Sequence, residues 1–265
     1  MREIRFFHGG VEAAANDAPI VNTWAGTRGS GLRAPFGTLR VTVEGPVDSR
    51  TGYLCDLKSI DGLLRGRALP EVCGEGSNAA PRDLSSLASG LGRAYATTAE
   101  HAPPTTMLVS LQLRLSPYTH LTIEKGEPTM VRVTQSFEFA ASHRLYCEGL
   151  SDDENRRIFG PCSNPHGHGH NYVLEVTVVG PPGGPEGSVL DLGNVDHVVH
   201  QRVIQSFDHR NLNVECPEFA SLNPSVENIA QVIWQRLNGA FERCRLAGVR
   251  VWETSRTYAE YTGDA

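Results

Sequence analysis

Gly37–Asp61, GTLRVTVEGPVDSRTGYLCDLKSID, lies over Tyr172–Asp196, YVLEVTVVGPPGGPEGSVLDLGNVD, at a constant offset of 135 residues. Ten of the 25 positions are identical without a gap: Leu39, Val41, Thr42, Val43, Gly45, Pro46, Gly52, Asp56, Leu57 and Asp61. A duplication of this kind changes every later step of the reading. Each copy reads as an alternating strand, a Gly/Pro turn of about seven residues, a short second strand and the start of a helix.

Working outward, NVDHVVHQRVIQSF places Val195, Val198, Val199, Val203 and Phe207 on one helical face. After Pro224, a second apolar stripe runs through Val226, Ile229, Ala230, Ile233, Trp234, Leu237 and Phe241. In the first copy, Leu84, Leu87, Leu91 and Tyr95 follow Pro81 in the same manner. Alternating segments close each copy: LVSLQLRLS and HLTIEK in the first, GVRVWETS and YAEYTG in the second. The unit is therefore β-β-α-α-β-β, used twice, an α+β fold of antiparallel four-stranded sheets with two helices on one face. The division falls in the KGEPT turn, giving domains 1–127 and 128–265. Two unpaired edges per unit invite closure with other copies, so a homo-oligomer is expected.

The 265 residues are 40% hydrophobic and 20% charged, with a formal net charge of −6 and no Lys/Arg-rich block. That balance argues against a nucleic-acid partner and for small-molecule chemistry. MREIRFFHGGVEAAAND lacks the apolar core of a signal peptide, and no apolar run approaches the roughly 18 residues of a membrane span. A cytoplasmic location is expected, with Cys55, Cys73, Cys147, Cys162, Cys216 and Cys244 as free thiols.

CSNPHGHGHNYVLEVTV (162–178) carries the chemistry. Alternate strand residues share a face, so His168 and His170 project side by side as two ligands of one cation. Neutral imidazoles suit zinc, whose catalytic sites take three protein ligands and keep a fourth position open. His143, ending the neighbouring strand FEFAASH, is the candidate third ligand. His166 has the right parity, but Pro165 and Gly167 place it outside the ladder. The counterpart of HGHNY in the first copy is RAPFG (33–37), which has neither imidazole.

Cys162, six residues before His168, can reach a metal-bound substrate as a proton-abstracting base; the alternative is an inert buried thiol. In FDHRNLN, Asp208 can orient His209, or the segment can be an ordinary polar turn. Glu253 is a strand glutamate whose counterpart is Leu115. His8, His101, His120, His197 and His200 read as ordinary polar residues.

FEFAASHRL, LSDDENRRIFGPCSNPHGHGHNY, GSVLDLGNVD, FDHRNLN, NPSVENIA and VWETSRTYAEYTG, in that order, resemble the 6-pyruvoyl-tetrahydropterin synthase family, which includes the 6-carboxytetrahydropterin synthases of queuosine biosynthesis. The resemblance spans Val131 to Gly263. It implies the tunnelling fold, three units closing a twelve-stranded barrel. It implies catalytic Zn²⁺ on His143, His168 and His170, with Cys162, Asp208 and His209 catalytic. Glu253 would anchor the pterin ring, and Glu227 would also bind substrate. The implied substrate is 7,8-dihydroneopterin triphosphate. The product would be 6-pyruvoyl-tetrahydropterin, or 6-carboxytetrahydropterin with loss of acetaldehyde. The six-residue spacing from Cys162 to His168 looks more like the pyruvoyl enzymes. His166 departs from the family's asparagine, and the first copy lacks HGH, DH, EN and the anchoring glutamate. One active site per chain and a trimer of two barrels follow as expectations, against the alternative of a non-catalytic pterin- or zinc-binding scaffold.

Overall fold

A computed structural model describes residues 1–7, 36–73, 84–182 and 192–263. Of these, 1–7, 36–73, 84–135, 178–182 and Leu192 gather in one compact unit, and 136–177 with 193–263 in another. Among the described residues no helix is long and apolar enough to cross a membrane.

In the first unit, β1 (Arg2–Phe7) pairs antiparallel with β2 (Phe36–Glu44), from Arg2↔Val41 to Phe7↔Phe36. The chain then forms α1 (Leu57–Leu63), a π-helical turn (Leu64–Ala68), α2 (Leu69–Cys73) and α3 (Leu84–Glu100). It returns as β3 (Met107–Ser116), paired with β2, and β4 (Thr119–Glu124), paired with β3. Alternation in β2, β3 and β4 buries Leu39, Val41, Leu111, Leu113, Leu121 and Ile123, and α3 contributes Leu87 and Leu91 to the core.

β5 (Val131–His143) opens by pairing with β4, Thr119↔Gln135 to Thr122↔Arg132, and the boundary between units falls within it after Gln135. The second unit continues through α4 (Asp152–Phe159), a 3-10 turn (Gly160–Ser163) and β6 (His168–Gly180), a neighbour of β5. Next come α5 (Leu192–Val199), a π-helical turn (His200–Ile204), α6 (Gln205–Phe207), β7 (Arg210–Asn211) and α7 (Leu212–Glu215). A 3-10 turn (Pro217–Phe219), α8 (Val226–Leu237), β8 (Arg245–Thr254) and β9 (Thr257–Tyr261) complete it. β8 neighbours β6 and pairs antiparallel with β9, while the short β7 lies parallel against β5. Ile229, Ile233 and Leu237 of α8 are fully buried, as are Leu174, Val176, Val249 and Val251 of the sheet. Phe139 stacks on Tyr172 at 4.9 Å between ring centroids.

The strand order β-β-α-α-β-β is present in the first unit, but its strands are not all where the repeat predicts them. No strand forms over 45–56: the first of the pair is β1, upstream of β2. Local polar bonding captures this segment. Asp48 Oδ1 accepts from the Arg50 and Thr51 backbone amides, Gly52 turns at φ 71°, and Asp56 caps α1 through the Lys58 and Ser59 amides. The corresponding strand of the second copy, and residues 33–35 of RAPFG, lie outside the described residues. Phe241 is buried as the stripe requires, yet α8 ends at Leu237 and Gly239 turns the chain at φ 72°.

Gly90 marks the closest approach of α3 to α2. A Cβ there would meet the Glu71 carbonyl oxygen at 2.5 Å, the same oxygen that accepts from Arg93 Nη2. Alanine is ordinarily better than glycine inside a helix by about 1 kcal/mol. Here the clash reverses the sign: Gly90→Ala should destabilise the protein by about 1–3 kcal/mol, read as a lower urea midpoint.

Candidate metal centre

Strand parity assembles the centre. On β5, Phe139, Ala141 and His143 face the core; on β6, His168, His170 and Tyr172 lie on the corresponding side. Of the two glycines in this stretch, Gly169 has room for a side chain and Gly167, just before β6, does not. A Cβ on Gly169 would lie 3.4 Å from the Ala141 carbonyl oxygen. Gly167 sits at φ 70°, and a Cβ there would come within 3.0 Å of the His143 carbonyl oxygen.

The ligating nitrogens of His143, His168 and His170 all lie within 4.8 Å of one another. His143 is completely buried, and its Nδ1 donates to the Pro224 carbonyl at 2.7 Å. That bond fixes the tautomer, so Nε2 presents a bare lone pair toward His168 Nε2, 3.1 Å away. A tetrahedral zinc with nitrogens about 2.05 Å away would separate them by roughly 3.3 Å. Among the described residues, two buried nitrogens, His168 Nδ1 and His170 Nε2, find no hydrogen-bond partner. Burial pushes His143 below its ordinary value, outweighing the Pro224 carbonyl, and likewise lowers His168, helped by His170. Imidazole nitrogens with free lone pairs turned to a common space are what a transition-metal cation requires, and these three residues could hold one.

Glu253, at the end of β8, turns its Oε1 into the same space, 3.5 Å from His143 Nε2 and 3.6 Å from His170 Nε2. Cys162 occupies the 3-10 turn, half-buried, and burial together with the Glu253 carboxylate pushes its thiol up. The described residues by themselves therefore favour the protonated thiol. Tyr172, fully buried, is held far above the usual phenol range, first by burial and then by Glu253 and Cys162. Thiol, carboxylate, phenol and imidazoles thus share one neighbourhood.

Asp208 and His209 form a second group. Asp208 Oδ2 is 2.9 Å from His209 Nδ1, and its Oδ1 accepts from the Ala140 amide at 2.8 Å. The His209 amide donates to the Ala140 carbonyl, and its φ of 58° throws an exposed imidazole outward. It lines an open cleft of about 530 Å³ with Ala140, Ser142, Gly169, Asn171 and Arg210, and His170 borders it. The lining combines both strand parities, Ala140, Ser142, Gly169 and Asn171 with Ala141 and His170, so the cleft reaches the edge of the imidazole cluster. His166 is exposed in the turn, outside the imidazole cluster, its amide bonded to Asn164. Glu227 is exposed in the first turn of α8.

A sequence profile described as 6-pyruvoyl tetrahydropterin synthase matches residues 132–264, half of the chain. The chain belongs to that family. It is 38% identical over 139 residues to the 6-pyruvoyl tetrahydrobiopterin synthase of Homo sapiens, covering 52% of this chain and 96% of that protein. To the 6-carboxy-5,6,7,8-tetrahydropterin synthase of Aquifex aeolicus it is 26% identical over 158 residues, covering 49% and 96%. The solved 6-pyruvoyl tetrahydropterin synthase of Caenorhabditis elegans shares 34% identity over 51% of this chain and 96% of that one, with a TM-score of 0.48.

Within this synthase-family half, sequence reading missed the groups that hold the site. Pro224 is the chief one: NPSVENIA drew attention to Glu227, whereas its contribution to the centre is a proline carbonyl. Asn155, buried, bonds the Cys147, Leu150 and Ser151 carbonyls and fixes the loop before α4, a role its place within SDDENRR does not signal.

The metal-free protein should take up one divalent transition-metal ion per chain, measured by competition with a chromogenic chelator. His143→Ala should abolish this uptake, and Gly167→Ala should weaken it by displacing His143. Because burial lowers His143 and His168, both remain deprotonated as pH falls past the ordinary imidazole value of about 6.5. Half-loss of binding should therefore come at a lower pH than for free imidazole.

Proposed function

We propose that the protein is a zinc-dependent 6-pyruvoyl-tetrahydropterin synthase acting on 7,8-dihydroneopterin triphosphate. The observation that carries this is the three-imidazole cluster with Glu253 beside it and Cys162 in electrostatic reach of Glu253. Zn²⁺ on His143, His168 and His170 would polarise the oxygens of the substrate side chain, making the adjacent carbon-bound proton acidic. Cys162 removes that proton once a positive charge offsets the burial and the carboxylate that now hold it as a thiol. Asp208 orients His209 through Nδ1, leaving Nε2 to return a proton as triphosphate departs by elimination. Glu253 accepts the N–H groups of the pterin ring, and Glu227 is a further substrate contact. The identity to the human synthase, 38% against 26% for the Aquifex aeolicus protein, supports the pyruvoyl product over the carboxy one.

Asp208 and His209 open into an exposed cleft bordered by His170, and each site would take its dyad across an interface with a neighbouring chain. Among the described residues, strands β1 and β9 each pair on one side only, leaving edges that closure into barrels would satisfy. A tandem architecture, with the division near 127/128, has further support in the local irregularities. Both halves carry a π-helical turn after the helix that follows the aligned strand, Leu64–Ala68 after α1 and His200–Ile204 after α5. Both final hairpins slip register at the same place, Arg114/Ser116 and Trp252/Thr254, with Leu115 standing where the second has Glu253. Three chains would supply six units, enough for two barrels, with the first half as a structural partner in a cytoplasmic homo-oligomer.

Mass spectrometry of the product from 7,8-dihydroneopterin triphosphate tests the reading. The expected result is the pyruvoyl product with stoichiometric triphosphate, lost in Cys162→Ala; a carboxy product with acetaldehyde reassigns the reaction. Metal binding without turnover of any pterin would leave only a binding scaffold.

Mixing separately inactive His143→Ala and His209→Ala chains, after dissociation and reassembly, should restore part of the activity. No recovery would place dyad and triad in one chain.

A further inference from the structure

Arg144 directly follows the buried His143, and its groups reach two other parts of the site. Its main-chain N–H donates to Asn213 Oδ1 at 2.7 Å, and Asn213 Nδ2 donates back to its carbonyl at 3.0 Å. That carboxamide closes the loop beginning at Asp208 and His209 onto the end of β5. The Arg144 side chain goes elsewhere: Nε donates to the Ser163 carbonyl at 3.0 Å, and the guanidinium lies 4.0 Å over the Tyr146 ring. Ser163, buried, bonds back to the Gly160 carbonyl, and the next residue of β5's extension, Leu145, donates its amide to the Cys162 carbonyl at 2.8 Å. The turn bearing the thiol is therefore clamped on consecutive carbonyls, one by backbone and one by Arg144.

We propose that Arg144 is a positioning residue: its guanidinium, braced on Tyr146, fixes the Cys162 turn relative to the metal ligand His143. The inference rests on the reading of Cys162 as the working thiol. Arginine suits the task because its planar fork can bond a carbonyl while stacking on an aromatic face. Without it the Gly160–Ser163 turn keeps the Leu145 bond alone, and the thiol can move outward into water.

The test is peptide-resolved labelling by iodoacetamide at fixed pH, because Cys162 and the exposed Cys147 fall in different tryptic peptides. In Arg144→Met, Cys162 should be labelled several-fold faster while Cys147 keeps its rate and metal uptake is unchanged. A misplacement on the order of 1 Å should lower kcat about 100-fold with KM little altered. Arg144→Lys, which keeps a charged donor near the Ser163 carbonyl, should return labelling toward the wild-type rate. Wild-type labelling with wild-type kcat in Arg144→Met overturns the proposal. So does a parallel rise at every thiol with loss of metal, which marks a general structural role. The labelling arm reads the clamp even if no pterin is turned over, so its failure is distinguishable from failure of the functional assignment.

Discussion

A single buried hydrogen bond, from His143 Nδ1 to the Pro224 carbonyl, organises the second half of the molecule. A fully buried imidazole left unpartnered would cost a few kcal/mol, so the loop before α8 cannot drift from the end of β5. The bond also decides which nitrogen faces His168, and therefore whether a cation can be held at all. The loop has its own fastenings: Asn223 accepts from the Tyr146 amide, and Asn228 donates to the Asn223 carbonyl. Ser225 caps α8 through the Asn228 amide. Helix start, loop and strand end are thus one construction.

Electrostatics in the centre pull in opposite directions. Burial favours neutral imidazoles, which suits ligation, but burial and Glu253 favour the protonated form of Cys162, which opposes its use as a base. One dication answers both, since it binds neutral nitrogen and favours a nearby thiolate. The thiol then has little reason to react when the site is not equipped. A cysteine poised as a thiolate at all times would be more open to oxidation.

Much of this was legible in the sequence because it depends on period. Two imidazoles two residues apart on a strand share a face whatever the surroundings, and His143 ends the neighbouring strand at the matching parity. The apolar stripes of α3 and α8 were readable for the same reason. What was not legible depends on bonds between segments far apart in the chain. A proline carbonyl has no side-chain signature, and the Asn213 carboxamide reaches Arg144 across 69 positions. The Gly/Pro turn after β2 is present, closed by Asp48, but the short strand expected after it failed on a local competition, since Asp56 bonds the Lys58 and Ser59 amides and starts α1 instead. The upward push on Cys162 comes from burial and then from Glu253, so it could not be read until the turn and the carboxylate were placed together.

Leu115 and Glu253 stand at the same slip of register in the two closing hairpins. Leu115 is only 2% exposed, within an apolar interior. A carboxylate introduced there would lose its hydration with no imidazole or metal supplied by the described residues to receive it. A carboxylate at that slip would therefore need imidazoles or a cation beside it to become tolerable. Leucine there suits the core, and the backbone accepts it. One hairpin geometry thus admits either side chain, and what surrounds the slip decides which of them can be buried.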